Sequence, residues 1–134
     1  MAAAIAPILI AIASLVLRLV NLGSTKGFIF DEVYYVDGAR DLLKFGVEVS
    51  GSSPEFVVHP PVGKWLIAGG IAIFGDNEFG WRFATALIGT LLILIFARLV
   101  HVLFYSPLLT ALGAALMALD GLLLVHSRTA LLDL

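Results

Sequence analysis

Acidic side chains beside apolar segments are the first candidates for chemistry in this sequence. Asp31 and Glu32 directly follow the apolar run 28–30 and precede a stretch with helical spacing. An aspartate at a helix start can cap the helix by accepting backbone N–H bonds. The same carboxylate can also act as a general base, so both roles stay open for Asp31.

A second group of residues could bind an anion. The segment His59-Pro60-Pro61-Val62-Gly63-Lys64-Trp65 joins a rigid helix start to an imidazole and an ammonium group. It is either an interfacial anchor or a set of donors for an anionic ligand. Charged residues at the ends of apolar segments are further candidates, because charges in such places are costly and tend to mark function. They are Arg82, Asp120, Arg128 and Asp133.

Carboxylates combined with arginine and lysine at a membrane surface suit transfer from a lipid phosphate. The cations would hold the phosphate and stabilise the charge that develops on it as it leaves. One carboxylate would take the proton from an attacking hydroxyl. A phosphate leaving group needs no general acid, so this arrangement permits, without requiring, glycosyl transfer from a lipid-phosphate sugar.

The composition indicates a membrane protein. Of the 134 residues, 60% are hydrophobic and 13% are charged, whereas about a quarter of the residues in a soluble domain are charged. Eight Lys and Arg residues against ten Asp and Glu residues leave no basic footprint for nucleic acid. The absence of cysteine excludes a disulfide framework, a thiolate metal site and a cysteine nucleophile.

The apolar segments predict an all-α fold with polytopic transmembrane helices. Two interfacial (juxtamembrane) helices should lie in the first extracytoplasmic loop, because one is amphipathic and the other is too short to cross. The expected segments are a transmembrane helix 1 at 1–22, the loop at 23–78 with interfacial helices at about 33–45 and 61–74, transmembrane helix 2 at 79–99, transmembrane helix 3 at 104–119, and the start of another at 122–134.

Counting spans places most of the conspicuous polar residues on one face. If the first helix runs outwards from the cytoplasm, the loop lies outside and Arg98 and His101 lie inside, in line with the positive-inside tendency. The third span then returns Arg128 and Asp133 to the face that carries Asp31.

Five ordered motifs resemble a known enzyme family. They are FDEVYYVDGARDLLKFG, HPPVGKWLIA, FGWRFATALIGTL, ALMALDGL and HSRTALLD. In this order they resemble the N-terminal portion of protein O-mannosyltransferases, which are integral-membrane glycosyltransferases of the GT-C type. The resemblance runs from residue 18 onward and implies a truncated GT-C domain, so we expect this piece alone to be inactive.

The resemblance implies inverting transfer of mannose from a polyprenyl- or dolichyl-phosphate carrier to Ser or Thr hydroxyls of secreted proteins. The lipid-phosphate mannose is then a co-substrate and no cofactor is required, while dependence on a divalent metal stays open. The family's general base falls on Asp31, an acceptor-side contact on Glu32 and a donor-phosphate contact on Arg82. Substrate-binding motif positions whose individual roles stay open are His59, Lys64, Arg128 and Asp133.

The expected partners are the lipid-linked donor, a secreted polypeptide with Ser or Thr acceptors, and membrane lipids; the secretion machinery is a further candidate. Spans rich in Ala, Leu and Gly favour a bacterial plasma membrane over the endoplasmic reticulum, with the active site on the extracytoplasmic face. One alternative is a related lipid-phosphate glycosyltransferase with a lipid or glycan acceptor. Another is a non-catalytic membrane subunit in which Asp31 only caps a helix.

Overall fold

The computed structural model describes residues 2–50, 53–54 and 59–132, and these are mostly helical. The elements in chain order are α1 Ala2–Leu19, α2 Glu32–Phe45, β1 Val49–Ser50, β2 Ser53–Pro54, α3 Val62–Phe74, α4 Glu78–Phe104, α5 Pro107–Leu119 and α6 Gly121–His126. The helical class is as the sequence predicts. Within the described ranges, the structure differs from the predicted all-α fold by a minimal antiparallel hairpin of β1 and β2.

Polar side chains set the starts of the last three helices. The Asn77 side chain accepts two backbone N–H bonds at the start of α4, and Ser106 accepts one at the start of α5. Asp120 accepts the Leu123 N–H at 2.7 Å and so begins α6. The sequence marks Asp120 as a functional candidate, and the structure gives it the role of a helix cap.

Three apolar helices, α1, α4 and α5, pack into one bundle. Small residues dominate its centre, which allows the helix backbones to approach closely. The buried residues there are Ala11, Ile93, Ala97, Ala114 and Ala118. The outer faces carry exposed large apolar side chains, including Ile12, Ile95 and Leu116. Apolar surface of this extent indicates a lipid or protein environment.

Within the described ranges, one helix is long and apolar enough to cross a bilayer. It is α4, with a hydropathy of 2.4. The apolar helices Ile5–Leu19, α3 and α5 are shorter, and α6 is followed by turns at 127–130. The multi-span arrangement and the interfacial placement of α2 and α3 therefore stay predictions.

A second core joins α2, α3 and the first turns of α4. Its buried residues are Tyr35, Val36, Ala39, Ile67, Ala68, Ile71, Trp81, Ala130 and Leu131. Gly70 on α3 faces Gly80 on α4 so closely that a Cβ on Gly70 would overlap the Gly80 carbonyl oxygen. This tight α3–α4 corner brings the start of α4 to the start of α2, where the candidate residues meet.

Candidate active site

Asp31 stands at the N-terminal boundary of α2. It occupies the N-cap position, but its side chain makes no capping hydrogen bond, and its backbone carbonyl accepts the N–H of Tyr34 at 3.1 Å. The preceding Phe30 has a left-handed backbone, with φ of +53°, and a side chain that is 79% exposed. A non-glycine residue in this region is uncommon and costs free energy, so surrounding contacts must impose the turn.

Glu32 and Arg82 supply those contacts through a buried ion pair. Arg82 Nε donates to Glu32 Oε1 at 2.8 Å, and Arg82 Nη2 donates to Oε2 at 2.7 Å. The Glu32 oxygens also accept the backbone N–H of Ile29 at 2.8 Å and of Ala130 at 2.7 Å. Both side chains are essentially inaccessible to solvent. The Glu32 carboxylate is thus fully hydrogen-bonded, which lowers the cost of burying it.

The remaining N–H groups of Arg82 hold the segment between α1 and α2. Arg82 Nη1 donates to the Thr25 carbonyl at 2.9 Å and more weakly to that of Leu22 at 3.4 Å, and Nη2 donates to the Gly27 carbonyl at 3.0 Å. A guanidinium has five N–H groups, and every nitrogen of Arg82 is engaged. Arg82 therefore fastens residues 22–32 to the first turn of α4 and keeps Asp31 in place.

Lys64 and His59 lie around the start of α3, on the side that packs against α2. Lys64 Nζ is paired with the Glu48 carboxylate, and both side chains are buried. The His59 ring meets the Tyr35 ring edge-on, with a centroid distance of 5.4 Å. Tyr35 is one helical turn from Asp31, so α2 links the imidazole to the candidate base.

Arg128 donates hydrogen bonds to backbone carbonyls at the C-terminal end of α1. Its Nη2 donates to the Val20 carbonyl at 2.9 Å, and its Nη1 donates to the carbonyls of Arg18 at 3.1 Å and of Leu17. Cationic groups favour helix C-termini, where backbone carbonyls lack intrahelical partners. Arg18 itself is fully buried and donates to Ser127 Oγ at 2.8 Å. These bonds attach the segment after α6 to α1.

The structure places Glu32 and Arg82 next to Asp31 at the start of α2, and it places Lys64 and His59 against the same helix. Arg128 instead contacts the end of α1. Asp133 lies outside the described residues. Sequence reasoning missed Glu48, the buried partner of Lys64. Its position between Val47 and Val49 was the available signal, because an acid flanked by β-branched apolar residues is costly to bury without a cation.

A second polar cluster links α2 to the α3–α4 turn. Arg40 donates to Asp76 through Nε at 2.8 Å and Nη2 at 2.9 Å, and Trp81 Nε1 donates to Asp76 Oδ1 at 2.6 Å. The hydrogen bonds from Arg40 hold the pKa of Asp76 below its ordinary value of 3.8, against the opposing effect of partial burial. The guanidinium also lies over the stacked rings of Phe28 and Trp81.

Two further features concern ligands. In the part of the chain that the structure describes, no group of three or more His, Asp or Glu side chains is placed to hold a metal ion. A mostly apolar cavity of about 210 Å³ opens between α3, α4 and the residues after α6. Its walls include Val62, Leu66, Ile88 and Leu132.

The family model and several relatives that match this chain carry names of the same enzyme family. A family model described as dolichyl-phosphate-mannose-protein mannosyltransferase matches residues 58–133. A polyprenol-phosphate-mannose–protein mannosyltransferase of Mycobacterium tuberculosis is 46% identical over 131 residues, covering 93% of this chain and 24% of the relative. The enzyme of the same name from Corynebacterium glutamicum is 36% identical over 135 residues, covering 94% of this chain and 26% of the relative.

A relative named for a different glycosyl transfer matches a shorter stretch of the chain. An undecaprenyl phosphate-alpha-4-amino-4-deoxy-L-arabinose arabinosyl transferase of Pseudomonas fluorescens is 42% identical over 74 residues, covering 52% of this chain and 13% of the relative. No solved structure matches the chain.

The helical fold and these matches define a membrane-associated glycosyltransferase class. More narrowly, the chain belongs to the dolichyl-phosphate-mannose-protein mannosyltransferase family, as its resemblance predicts. It spans about a quarter of the length of the mannosyltransferase relatives that it matches.

Proposed function

We propose that the intact protein transfers mannose from a polyprenyl-phosphate-mannose donor to Ser or Thr hydroxyls of secreted proteins, and that this chain supplies part of its catalytic wall. The observation that carries the proposal is Asp31: a carboxylate without a hydrogen bond from the described side chains, on a turn that a buried ion pair holds rigid. The names of the mannosyltransferase relatives support the donor and the protein acceptor.

Asp31 acts as the general base. It takes the proton of the acceptor hydroxyl while the hydroxyl oxygen bonds to the anomeric carbon and the bond to the phosphate oxygen breaks. The bonding electrons stay on the phosphate, which leaves as an anion and needs no general acid. Attack from the face opposite the phosphate inverts the anomeric centre. A base on a fixed helix start suits this step because proton abstraction depends on geometry before pKa.

Lys64 and His59 are the proposed donors to the phosphate. Both lie at the start of α3, where the first backbone N–H groups lack intrahelical partners and the helix dipole favours an anion. The apolar cavity beside α3, lined by Leu66 and Ile88, offers room for the lipid chain of the donor. Phosphate and lipid would then be bound by the same helix.

Glu32 and Arg82 contribute by positioning. Their hydrogen bonds to each other and to neighbouring backbone groups occupy both carboxylate oxygens and every guanidinium nitrogen. A direct contact of Arg82 with the donor phosphate, or of Glu32 with the acceptor, requires one of these bonds to open. Arg128 likewise supports the site by holding the end of α1, and Asp133 remains a substrate-binding candidate from its motif.

The proposed setting is a multi-pass protein of a bacterial plasma membrane with the site on the extracytoplasmic face. The donor lipid then reaches α3 from the outer leaflet, and secreted polypeptides meet Asp31 from the aqueous side. The exposed Phe30 and Tyr34, beside Asp31, are suited to this headgroup layer because aromatic side chains favour membrane–water interfaces. Substrates emerging from the secretion machinery would pass this face.

The decisive assay uses the intact protein in membrane vesicles with polyprenyl-phosphate-mannose carrying a labelled sugar. We expect label to move to a Ser/Thr-rich peptide and not to a matched peptide with alanine at every Ser and Thr. Label in a lipid or glycan fraction, with none in the peptide, would support the second candidate instead. That candidate is a related lipid-phosphate glycosyltransferase with a lipid or glycan acceptor. The match to the Pseudomonas arabinosyl transferase supports it, because that name gives an undecaprenyl-phosphate sugar and no protein acceptor.

A further inference from the structure

The pairing of Lys64 with Glu48 has a consequence for phosphate binding. Lys64 Nζ contacts Glu48 Oε2, and the two side chains are 7% and 5% exposed. Burying two charges carries a large desolvation cost, which their attraction offsets only with close geometry. An ammonium group engaged in this way is not free for a second anion unless the carboxylate moves or shares it.

The Lys64–Glu48 pair is formed by two segments and supported by α2. Lys64 comes from the first turn of α3, and Glu48 comes from the segment just before β1. The Asp41 carboxylate on α2 accepts the Val49 N–H at 3.1 Å, which fixes the chain next to Glu48. Gly38 on α2 leaves the space, since a Cβ there would lie 2.9 Å from Glu48 Oε2 and 3.1 Å from Lys64 Cδ.

Mannosyl transfer changes the charge of the lipid phosphate. The donor is a phosphodiester with one negative charge. When the sugar–oxygen bond breaks, the electron pair remains on the phosphate and the acceptor proton goes to Asp31. The product is a phosphate monoester, which carries about −1.5 to −2 charges at pH 7. A carboxylate beside Lys64 therefore repels the product more strongly than the donor.

We propose that Glu48 is a positioning residue that holds Lys64 between turnovers and disfavours the product lipid phosphate, so that the product leaves. This inference rests on the proposed phosphate-binding role of Lys64. On donor binding, Lys64 shares its ammonium group between Glu48 and the phosphodiester. After transfer, Glu48 competes with the monoester and returns Lys64 to the buried pair.

The test compares wild type with Glu48→Gln in the intact protein, reconstituted in vesicles. For each protein we measure kcat, the KM for polyprenyl-phosphate-mannose and the inhibition constant of added polyprenyl phosphate. For Glu48→Gln we expect the inhibition constant to fall by at least roughly tenfold, because a unit charge a few ångströms away at intermediate dielectric exceeds that scale before the Lys64 ammonium offsets it. The KM for the donor should fall by less than the inhibition constant, because the donor carries less negative charge than the product. The value of kcat should also fall, because product release slows. An unchanged ratio of inhibition constant to KM would overturn the proposal.

Two companion variants separate the possible failures. Glu48→Asp keeps the charge but withdraws it by one methylene, so the ratio should move in the same direction by less; this variant carries the test if Glu48→Gln does not accumulate. Lys64→Met should raise both KM and the inhibition constant. If Lys64→Met changes neither, the phosphate role of Lys64 fails. If Lys64→Met raises both while the Glu48 variants leave the ratio unchanged, only the role of Glu48 fails.

Discussion

The Asp31 side chain makes no capping hydrogen bond at the start of α2, and the Tyr34 N–H bonds to the Asp31 backbone carbonyl instead. Aspartate at the start of a helix usually accepts a backbone N–H in the next turn. Here the Glu32 side chain reaches back to the Ile29 N–H, while Phe30 takes a left-handed conformation. Asp31 therefore does not use its side chain as the cap of α2 and stays the candidate for the proposed base.

The buried pair of Glu32 and Arg82 should dominate the stability of this junction. Replacing Glu32 with alanine leaves a buried guanidinium without its counter-ion, at a cost of about 3–5 kcal/mol. We expect a large fall in the thermal unfolding midpoint of the detergent-solubilised protein, measured by a fluorescence or light-scattering melt.

The ion pair of Glu78 with the exposed Lys26 gives a control. Lys26 is 76% exposed, so Lys26→Ala should cost at most about 1 kcal/mol. Equal shifts for Glu32→Ala and Lys26→Ala would show that the Glu32–Arg82 pair does not fasten the loop.

At the scale of elements, the α3–α4 corner depends on two glycines that touch. Gly70→Ala would push a methyl group into the Gly80 carbonyl, and overpacking of this kind costs about 1–3 kcal/mol. Gly69 offers the control, since a Cβ there meets nothing within 4 Å. Gly69→Ala should stabilise by roughly 0.5–1 kcal/mol through helix propensity. Thermal melts of both variants should move in opposite directions, and similar shifts would contradict this packing.

The junction of α2 with the α3–α4 turn should depend on pH through Asp76. Because hydrogen bonds from Arg40 lower the pKa of Asp76 in the folded state, the contribution to stability is fully present above the ordinary value of 3.8. It is lost as the pH falls through the lower, folded-state value. Asp76→Asn should therefore melt below wild type near neutral pH, with the difference closing under strongly acidic conditions. A difference that is constant across this range would rule out the ionised pair as its source.

The local sequence pattern predicted the positions of helices well, but it did not predict which distant side chains pair with each other. The sequence predicted an amphipathic helix at about 33–45 and a short helix at 61–74, and helices α2 and α3 lie in both places. The partners of Arg82 were beyond reach, because Glu32 is 50 residues away in the chain and only tertiary packing joins them. Lys64 was left open as an interfacial anchor or a donor to an anion, and its pairing with Glu48 was not predicted because nothing local shows that Glu48 folds back onto it.

For the whole molecule, the apolar bundle predicts a sidedness that can be measured. If α4 crosses the bilayer, the loop at Ser53 and the end of α4 at Phe104 lie on opposite faces. The 134 residues contain no cysteine, so single cysteines at these two exposed positions report separately once any others in the intact protein are replaced. A membrane-impermeant maleimide applied to intact cells should label Ser53→Cys, and label Phe104→Cys only after lysis. Labelling of both in intact cells would contradict the proposed topology.

The central claim is that Asp31 is the general base of mannosyl transfer. The most direct measurement compares mannosyl transfer by wild type, Asp31→Asn and Asp37→Asn. Asp37 is the control because it is an exposed carboxylate on the same helix. The assay uses the intact protein with labelled polyprenyl-phosphate-mannose and a Ser/Thr-rich peptide. We expect Asp31→Asn to lower kcat by about 10²–10⁴-fold, the usual contribution of a positioned base, with KM for the donor little changed and Asp37→Asn close to wild type. Undiminished transfer by Asp31→Asn would contradict the account.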